Sequence, residues 1–249
     1  SRLRDDGVDV LLRTVITKAR WVEGRFSLEY AGGMVSADTA LVTSGRVPRV
    51  DDLHLDTAGV AGTEQGVTVD DRLRTSNPRV YAAGDVCSKY KFTHAADAMA
   101  RIVVRNALFF GRQRMSSLVI PWCTFTSPEV GRVGEAGDEA AASGAEVITI
   151  PLSSVDRAVV DEATEGFVRI YHRQGRLVGA TIVAPDAGEL VSAVALAMRL
   201  GGTLPDLSAA VFPYPTLSVA LRQAGDTYRR STLTPRVRSV LQYYFQVLR

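Results

Sequence analysis

From Phe167 to Pro185 the chain reads FVRIYHRQGRLVGATIVAP, and little else in it narrows the fold as far. Two β-rich runs flank Gln174-Gly175, where the chain can reverse tightly, so an antiparallel hairpin is expected. A helix is expected next, over DAGELVSAVALAMRLGG. Leu190, Val191, Val194, Ala197 and Met198 form its apolar face, and Gly201-Gly202 closes it. Further strands are expected at WCTFT and EVITIPL. Strands followed by helix fit a separate α+β domain, whose start falls near Pro121.

The segment before that domain has a different rhythm. Residues 8–44 alternate short apolar or β-rich runs with turns at Glu23-Gly24 and Gly32-Gly33, which reads as antiparallel strands. TALVTSG, residues 39–45, is apolar without alternation and reads as a buried strand feeding a loop at a sheet edge. RVPRVDDLHLDTAGV follows as a connection between domains. GVTVDDRLRTSNPRVYAAGDV then suggests a short strand, an Asn-Pro turn and a second buried strand at VYAAG. Gly84 would let a ligand approach the backbone, and Asp85 stands at the carboxyl end of that strand, where open α/β sheets bind ligands. Its carboxylate suits sugar or ribityl hydroxyls, or the cap of the next turn, and spacing leaves both open.

A helix is expected from Ala95 to Gly111, with Ala95, Met99, Val103 and Leu108 near one stripe and Gly111 as its stop. Thr93 is the expected N-cap. Free amides at such an end attract a phosphate, a carboxylate or the anionic edge of a reduced flavin, although every helix has such an end. The glycines of GRVGEAGDEAAASG do not have GxGxxG spacing, so no phosphate loop is read there.

In FPYPTLSVALRQAGDTYRR, Pro213 and Pro215 stiffen the chain around Tyr214, and Thr216 or Ser218 is expected to cap the following helix. An ordered loop and a held phenol are both compatible with this stretch. The C-terminal TPRVRSVLQYYFQVLR places Val237, Val240, Leu241, Tyr244 and Leu248 on one helical face, with Arg236, Arg238 and Arg249 supplying charge. Such a helix can lie on a membrane surface, and more often packs on its own domain or on a partner subunit.

A formal net charge of +2 on 249 residues gives no argument for nucleic-acid binding. No apolar run approaches a membrane span and no secretory leader opens the sequence, so a cytoplasmic address is expected. Cys87 and Cys123 are isolated and His54, His94 and His172 stand apart, so no metal site is predicted. The two thiols read as buried structural groups.

Taken in order, ALVTSGRVP, VTVDDRLRTSNPRVYAAGDV, FTHAADAMA, PWCTFTSPEVGRVG, LVGATIVAPDAGELV and FPYPTLS span almost the whole chain. This series resembles the C-terminal half of the FAD-dependent pyridine nucleotide–disulfide oxidoreductases, and within them the mercuric reductase-like branch. The resemblance implies an α/β plus α+β fold. Residues 1–48 would end an NAD(P)-binding domain and residues 49–117 an FAD-binding domain. Residues 118–230 would form an α+β interface domain that makes a homodimer, and residues 231–249 a basic amphipathic tail helix.

The resemblance also implies roles. Asp85, after Gly84, would hold the flavin ribityl chain. Thr93, His94 and Ala95 would face the flavin pyrimidine edge, and Gly45 and Arg46 would lie in the loop returning from the nucleotide domain. Tyr214 stands where the thiol-disulfide branches carry a histidine, with Val219 in place of its glutamate partner, which disfavours ordinary glutathione or dihydrolipoamide chemistry. Tyrosine here is similar to mercuric reductase, but the terminal vicinal cysteines of that enzyme do not occur in YYFQVLR, which puts mercury reduction in doubt. The FAD-binding GxGxxG and the redox CxxxxC do not occur either. The expectation is a fragment of an FAD- and NAD(P)H-dependent reductase, inactive as an isolated chain; the alternative is a non-enzymatic dimerising module.

Overall fold

The structure, a computed structural model, describes residues 2–248 and divides into two compact units, Ser1–Val47 and Pro48–Arg249. In the first, a single helical turn, α1 (Arg2–Asp5), precedes three strands, β1 (Ile16–Val22), β2 (Arg25–Tyr30) and β3 (Gly33–Ala37). They form an antiparallel meander in which Phe26 pairs with Trp21 on one side and Ala37 on the other. Glu23 and Gly24 both take positive φ at the first reversal, as a tight hairpin turn requires. Every residue of β1 is exposed.

The buried strand expected at TALVTSG does not form. Residues 39–45 carry no strand, and Leu41 and Val42 are 87% and 82% exposed. A strand exists only through its neighbours, and β1, β2 and β3 pair only with one another.

The second unit begins with a two-residue pair, β4 (Gly62–Thr63) and β5 (Gly66–Val67). VYAAG does not become a full strand: one bridge joins Tyr81 to Arg74 across the Asn77-Pro78 turn, with Ala82 N–H donating to the Leu73 carbonyl at 3.2 Å. It pairs on one side only. Helix α2 (Thr93–Leu108) follows, and its Ala95, Met99 and Ile102 bury against Leu73 and Ile120. The helix ends three residues before the expected Gly111 stop. Phe110 takes the left-handed φ of 53° that a glycine was expected to supply, and the Gly111 N–H donates to the Arg105 carbonyl at 3.0 Å.

A larger sheet follows: β6 (Trp122–Thr124), β7 (Glu129–Gly134), a short α3 (Asp138–Ala142), β8 (Glu146–Pro151), α4 (Asp156–Val160), β9 (Phe167–Arg173) and β10 (Arg176–Ala184). Its strand order is β6-β7-β10-β9-β8, antiparallel throughout. The hairpin at Gln174-Gly175 is its centre, as expected; β7, which pairs with β10, was not foreseen because two-thirds of EVGRVG is glycine and charge. Helices α5 (Ala187–Arg199), α6 (Leu204–Ala209) and α7 (Val219–Ser231) complete the domain, and α8 (Pro235–Val247) ends the chain.

Period-two alternation buries Val168 and Ile170 of β9 and Ala180 and Ile182 of β10, which meet Leu190, Val191 and Val194 of α5 and Leu221 and Ala224 of α7. Each fully buried aliphatic side chain contributes about 1.5–3 kcal/mol. Gly225 in α7 has a specific reason: a Cβ there would lie 2.4 Å from the Leu204 carbonyl oxygen and 2.5 Å from the Ser208 nitrogen. Only glycine lets α6 approach so closely. α6 itself starts on a capping box, in which the Thr203 hydroxyl accepts from Asp206 N–H and the Asp206 carboxylate accepts from Thr203 N–H.

Candidate functional site

Gly84, Asp85, Thr93, His94 and Ala95 come together at the start of α2. Gly84 takes φ +82° and opens a single 3-10 turn, and a Cβ on it would meet the Ala96 Cβ at 2.8 Å. Glycine therefore seats the turn directly on α2, and the Gly84 N–H points at the Met99 sulfur, 3.4 Å away. Asp85 is exposed at the tip of that turn, and the Lys91 ammonium donates to its backbone carbonyl.

Thr93 is not the N-cap. It is the first helical residue, and Phe92 occupies the cap position in extended conformation with a side chain that makes no capping hydrogen bond. Thr93 and His94 are exposed whereas Ala95 is fully buried. An end without a side-chain cap keeps the partial positive charge of its amides available to an anionic group. Aromatic stacking fixes its direction: the His94 ring lies 5.4 Å from Phe92 at 8°, and Phe92 lies 6.2 Å from Trp122 at 14°. The Arg132 guanidinium lies over the Trp122 ring, 5.4 Å from its centre. His94 Nε2 donates to the Pro121 carbonyl at 2.7 Å, so its side chain ties α2 to the strand region while its backbone forms the helix end. A cleft of 540 Å³ opens beside this stack, lined by Lys89, Tyr90, Phe92, Trp122, Glu135 and Glu139 among others.

Tyr214 lies in irregular chain before α7 and is 71% exposed. Its hydroxyl donates to Asp156 Oδ2 at 2.9 Å. That hydrogen bond and the adjacent negative charge raise the phenol pKa above its ordinary value, so Tyr214 is a hydrogen-bond donor and not a base at neutral pH. Asp156 is the residue that sequence reasoning missed. It lies 58 positions upstream, and only its place in the first turn of α4 could have drawn attention to it. Neither Thr216 nor Ser218 caps α7: the Thr216 hydroxyl donates to the Pro213 carbonyl at 2.7 Å, and Ser218 makes no capping bond.

Gly45 and Arg46 fall in the first unit, in chain without regular structure; Gly45 takes φ +130° and Arg46 is exposed. Cys87 and Cys123 are each half-buried rather than fully buried. Burial pushes both thiols up, and Glu129 adds to the effect at Cys123, so neither is a thiolate at neutral pH. Among the described residues no group of three His, Cys, Asp or Glu side chains could hold a metal ion.

Residues 1–100 match the model of the pyridine nucleotide-disulphide oxidoreductases, and residues 120–224 match the dimerisation domain of the same family. The chain belongs to that family. The mercuric reductase of Acidithiobacillus ferrooxidans is 36% identical over 232 residues, an alignment that covers 91% of this chain and 42% of that protein. Two solved structures share the fold at 28% identity. The HOCl-induced flavoprotein disulfide reductase RclA from Escherichia coli superposes with a TM-score of 0.82 over 90% of this chain and 53% of its own. LpdA from Mycobacterium tuberculosis superposes at 0.84 over 91% and 51%. The chain thus spans about half the length of the proteins it matches.

The residues present fit the flavin that the family employs. An exposed carboxylate at Asp85, a glycine turn that a Cβ would displace, and an α2 end without a side-chain cap are complementary to hydroxyls and to an electron-rich ring edge.

Proposed function

We propose that this chain is the C-terminal portion of an FAD- and NAD(P)H-dependent oxidoreductase similar to mercuric reductase, resident in the cytoplasm, homodimeric through residues 118–230 and inactive as the isolated chain. The turn at Gly84-Asp85 seated on the start of α2 is the observation that carries this reading. Bound FAD supplies the capacity to take a hydride from NAD(P)H and pass on electrons. Asp85 would accept hydrogen bonds from its ribityl hydroxyls, and the amides of Thr93, His94 and Ala95 would favour negative charge on its pyrimidine edge. Gly45 and Arg46 belong to the loop that returns from the nucleotide-binding domain. Tyr214, held by Asp156, offers a donor to the acceptor substrate, and its raised pKa excludes it as the base of a thiol exchange.

The test uses the full-length protein that contains this sequence. Asp85→Ala is expected to lower the flavin retained on purification by about tenfold, the cost of one charge-assisted hydrogen bond or more. Tyr214→Phe is expected to keep the flavin and lose acceptor turnover. Unchanged flavin content in Asp85→Ala overturns the cofactor assignment, and unchanged turnover in Tyr214→Phe overturns the donor. Flavin copurifying near stoichiometry with the isolated 249-residue chain would sink its proposed dependence on further sequence.

A further inference from the structure

The described apolar side chains of the last helix lie outside the core. Val237, Val240, Tyr243, Tyr244, Phe245, Val247 and Leu248 are 41–71% exposed, whereas the preceding α7 buries Val219, Ala220, Leu221, Ala224 and Gly225. α8 is nonetheless built as a deliberate helix: Pro235 opens it and the Thr234 hydroxyl accepts from Val237 N–H at 3.4 Å. At about 3.6 residues per turn, Val237, Val240, Tyr244, Val247 and Leu248 share one side, and Arg238, Ser239, Gln242 and Gln246 share the other. Those described apolar residues are exposed in this chain, so a partner surface outside it, or none, covers them.

The charge around it selects what covers it. From Arg222 onward the sequence carries six arginines and one acid, Asp226. Arg229, Arg230 and Arg238 are exposed. The match to the dimerisation domain ends at residue 224, before α8 begins. An apolar face edged by Tyr243 and Phe245, with Arg238 on the polar side and Arg229 and Arg230 a few residues upstream, fits the interface of an anionic bilayer, where aromatic rings sit at headgroup level and guanidinium groups meet phosphates. No helix among the described residues is long and apolar enough to cross a membrane.

We propose that α8 lies flat in the headgroup region of an anionic membrane and tethers the protein there peripherally. The test is co-sedimentation of the full-length protein with vesicles of phosphatidylcholine mixed with phosphatidylglycerol, against phosphatidylcholine alone, at low and high salt. Binding is expected to the anionic vesicles only and to weaken as salt rises. Arg238→Gln should weaken it about fivefold. Tyr244→Asp, a single exposed change that leaves the core untouched, should weaken it about tenfold or more, and deletion of residues 235–249 should abolish it. Absence of binding, or binding that survives the deletion or Tyr244→Asp, overturns the proposal. So does a deletion that turns a dimer into a monomer by light scattering, because the face then belongs to a second copy of the chain.

Discussion

The meander of β1, β2 and β3 and the sheet of β6 to β10 are both antiparallel and both built on tight hairpins, yet one is exposed and the other is the centre of a core. All seven residues of β1 are exposed, while β9 buries Val168, Ile170, Tyr171 and His172. The difference does not lie in the strands. β1 carries Ile16, Trp21 and Val22, apolar enough for any core. It lies in the cover: α5 and α7 lay apolar faces on the larger sheet, and the described residues 2–47 contain no comparable helix. Hairpin formation is local, whereas burial requires a second layer.

The sharpest way to break this comparison is to delete side-chain volume from both sheets. Leu221→Ala, at a fully buried position of α7, is expected to cost about 2–5 kcal/mol in denaturant unfolding. Trp21→Ala removes a larger side chain that is 58% exposed and touches Phe26 edge-on at 4.7 Å; its expected cost is below about 1.5 kcal/mol. Equal costs would mean that the meander has a cover of its own. Next in size is Gly225→Ala, where the new methyl meets backbone of α6 and not a flexible side chain. A loss of about 1–3 kcal/mol is expected, and an unchanged unfolding midpoint would show that α6 and α7 can separate at little cost.

The smallest effect is one of pH. His172 is buried in β9, its ring edge-on to Tyr228 at 5.1 Å and its Nδ1 accepting the Gly175 N–H at 3.4 Å. Burial depresses its pKa, against the weaker opposing pull of Glu146. The unfolded chain therefore binds the proton first, and stability falls as pH drops below about 6.5 until the folded pKa is passed. Unfolding midpoints measured above and below that pH should show the decline, and His172→Gln should flatten it. A decline that persists in His172→Gln assigns it to other groups. The meander, without a histidine, should show no such step.

Much of the candidate site was legible because its parts are adjacent in sequence. Gly84 and Asp85 stand within a dozen residues of Thr93, and the apolar stripe of α2 announces the helix whose start they flank. The assignment of Thr93 as cap failed because an extended Phe92, locked between His94 and Trp122, took the cap position instead. Asp156 was invisible because nothing local distinguishes it from any acidic residue in a first helical turn. TALVTSG shows the reverse error: an apolar composition was legible, but the neighbour that makes a strand was not.

The sequence alone determined the hairpin at Gln174-Gly175, the buried face of α5 and the ordered motifs that mark the family, because alternation, helical period and turn residues act over a few positions. Tertiary structure alone decided that Tyr214 answers to Asp156, 58 residues away, and that His94 is spent on the Pro121 carbonyl, 27 residues away. It also decided that the described apolar residues of α8 stay exposed while α7 buries its own. Such pairings follow from which surfaces meet, and a one-dimensional pattern records only that a surface is apolar or charged, not what covers it.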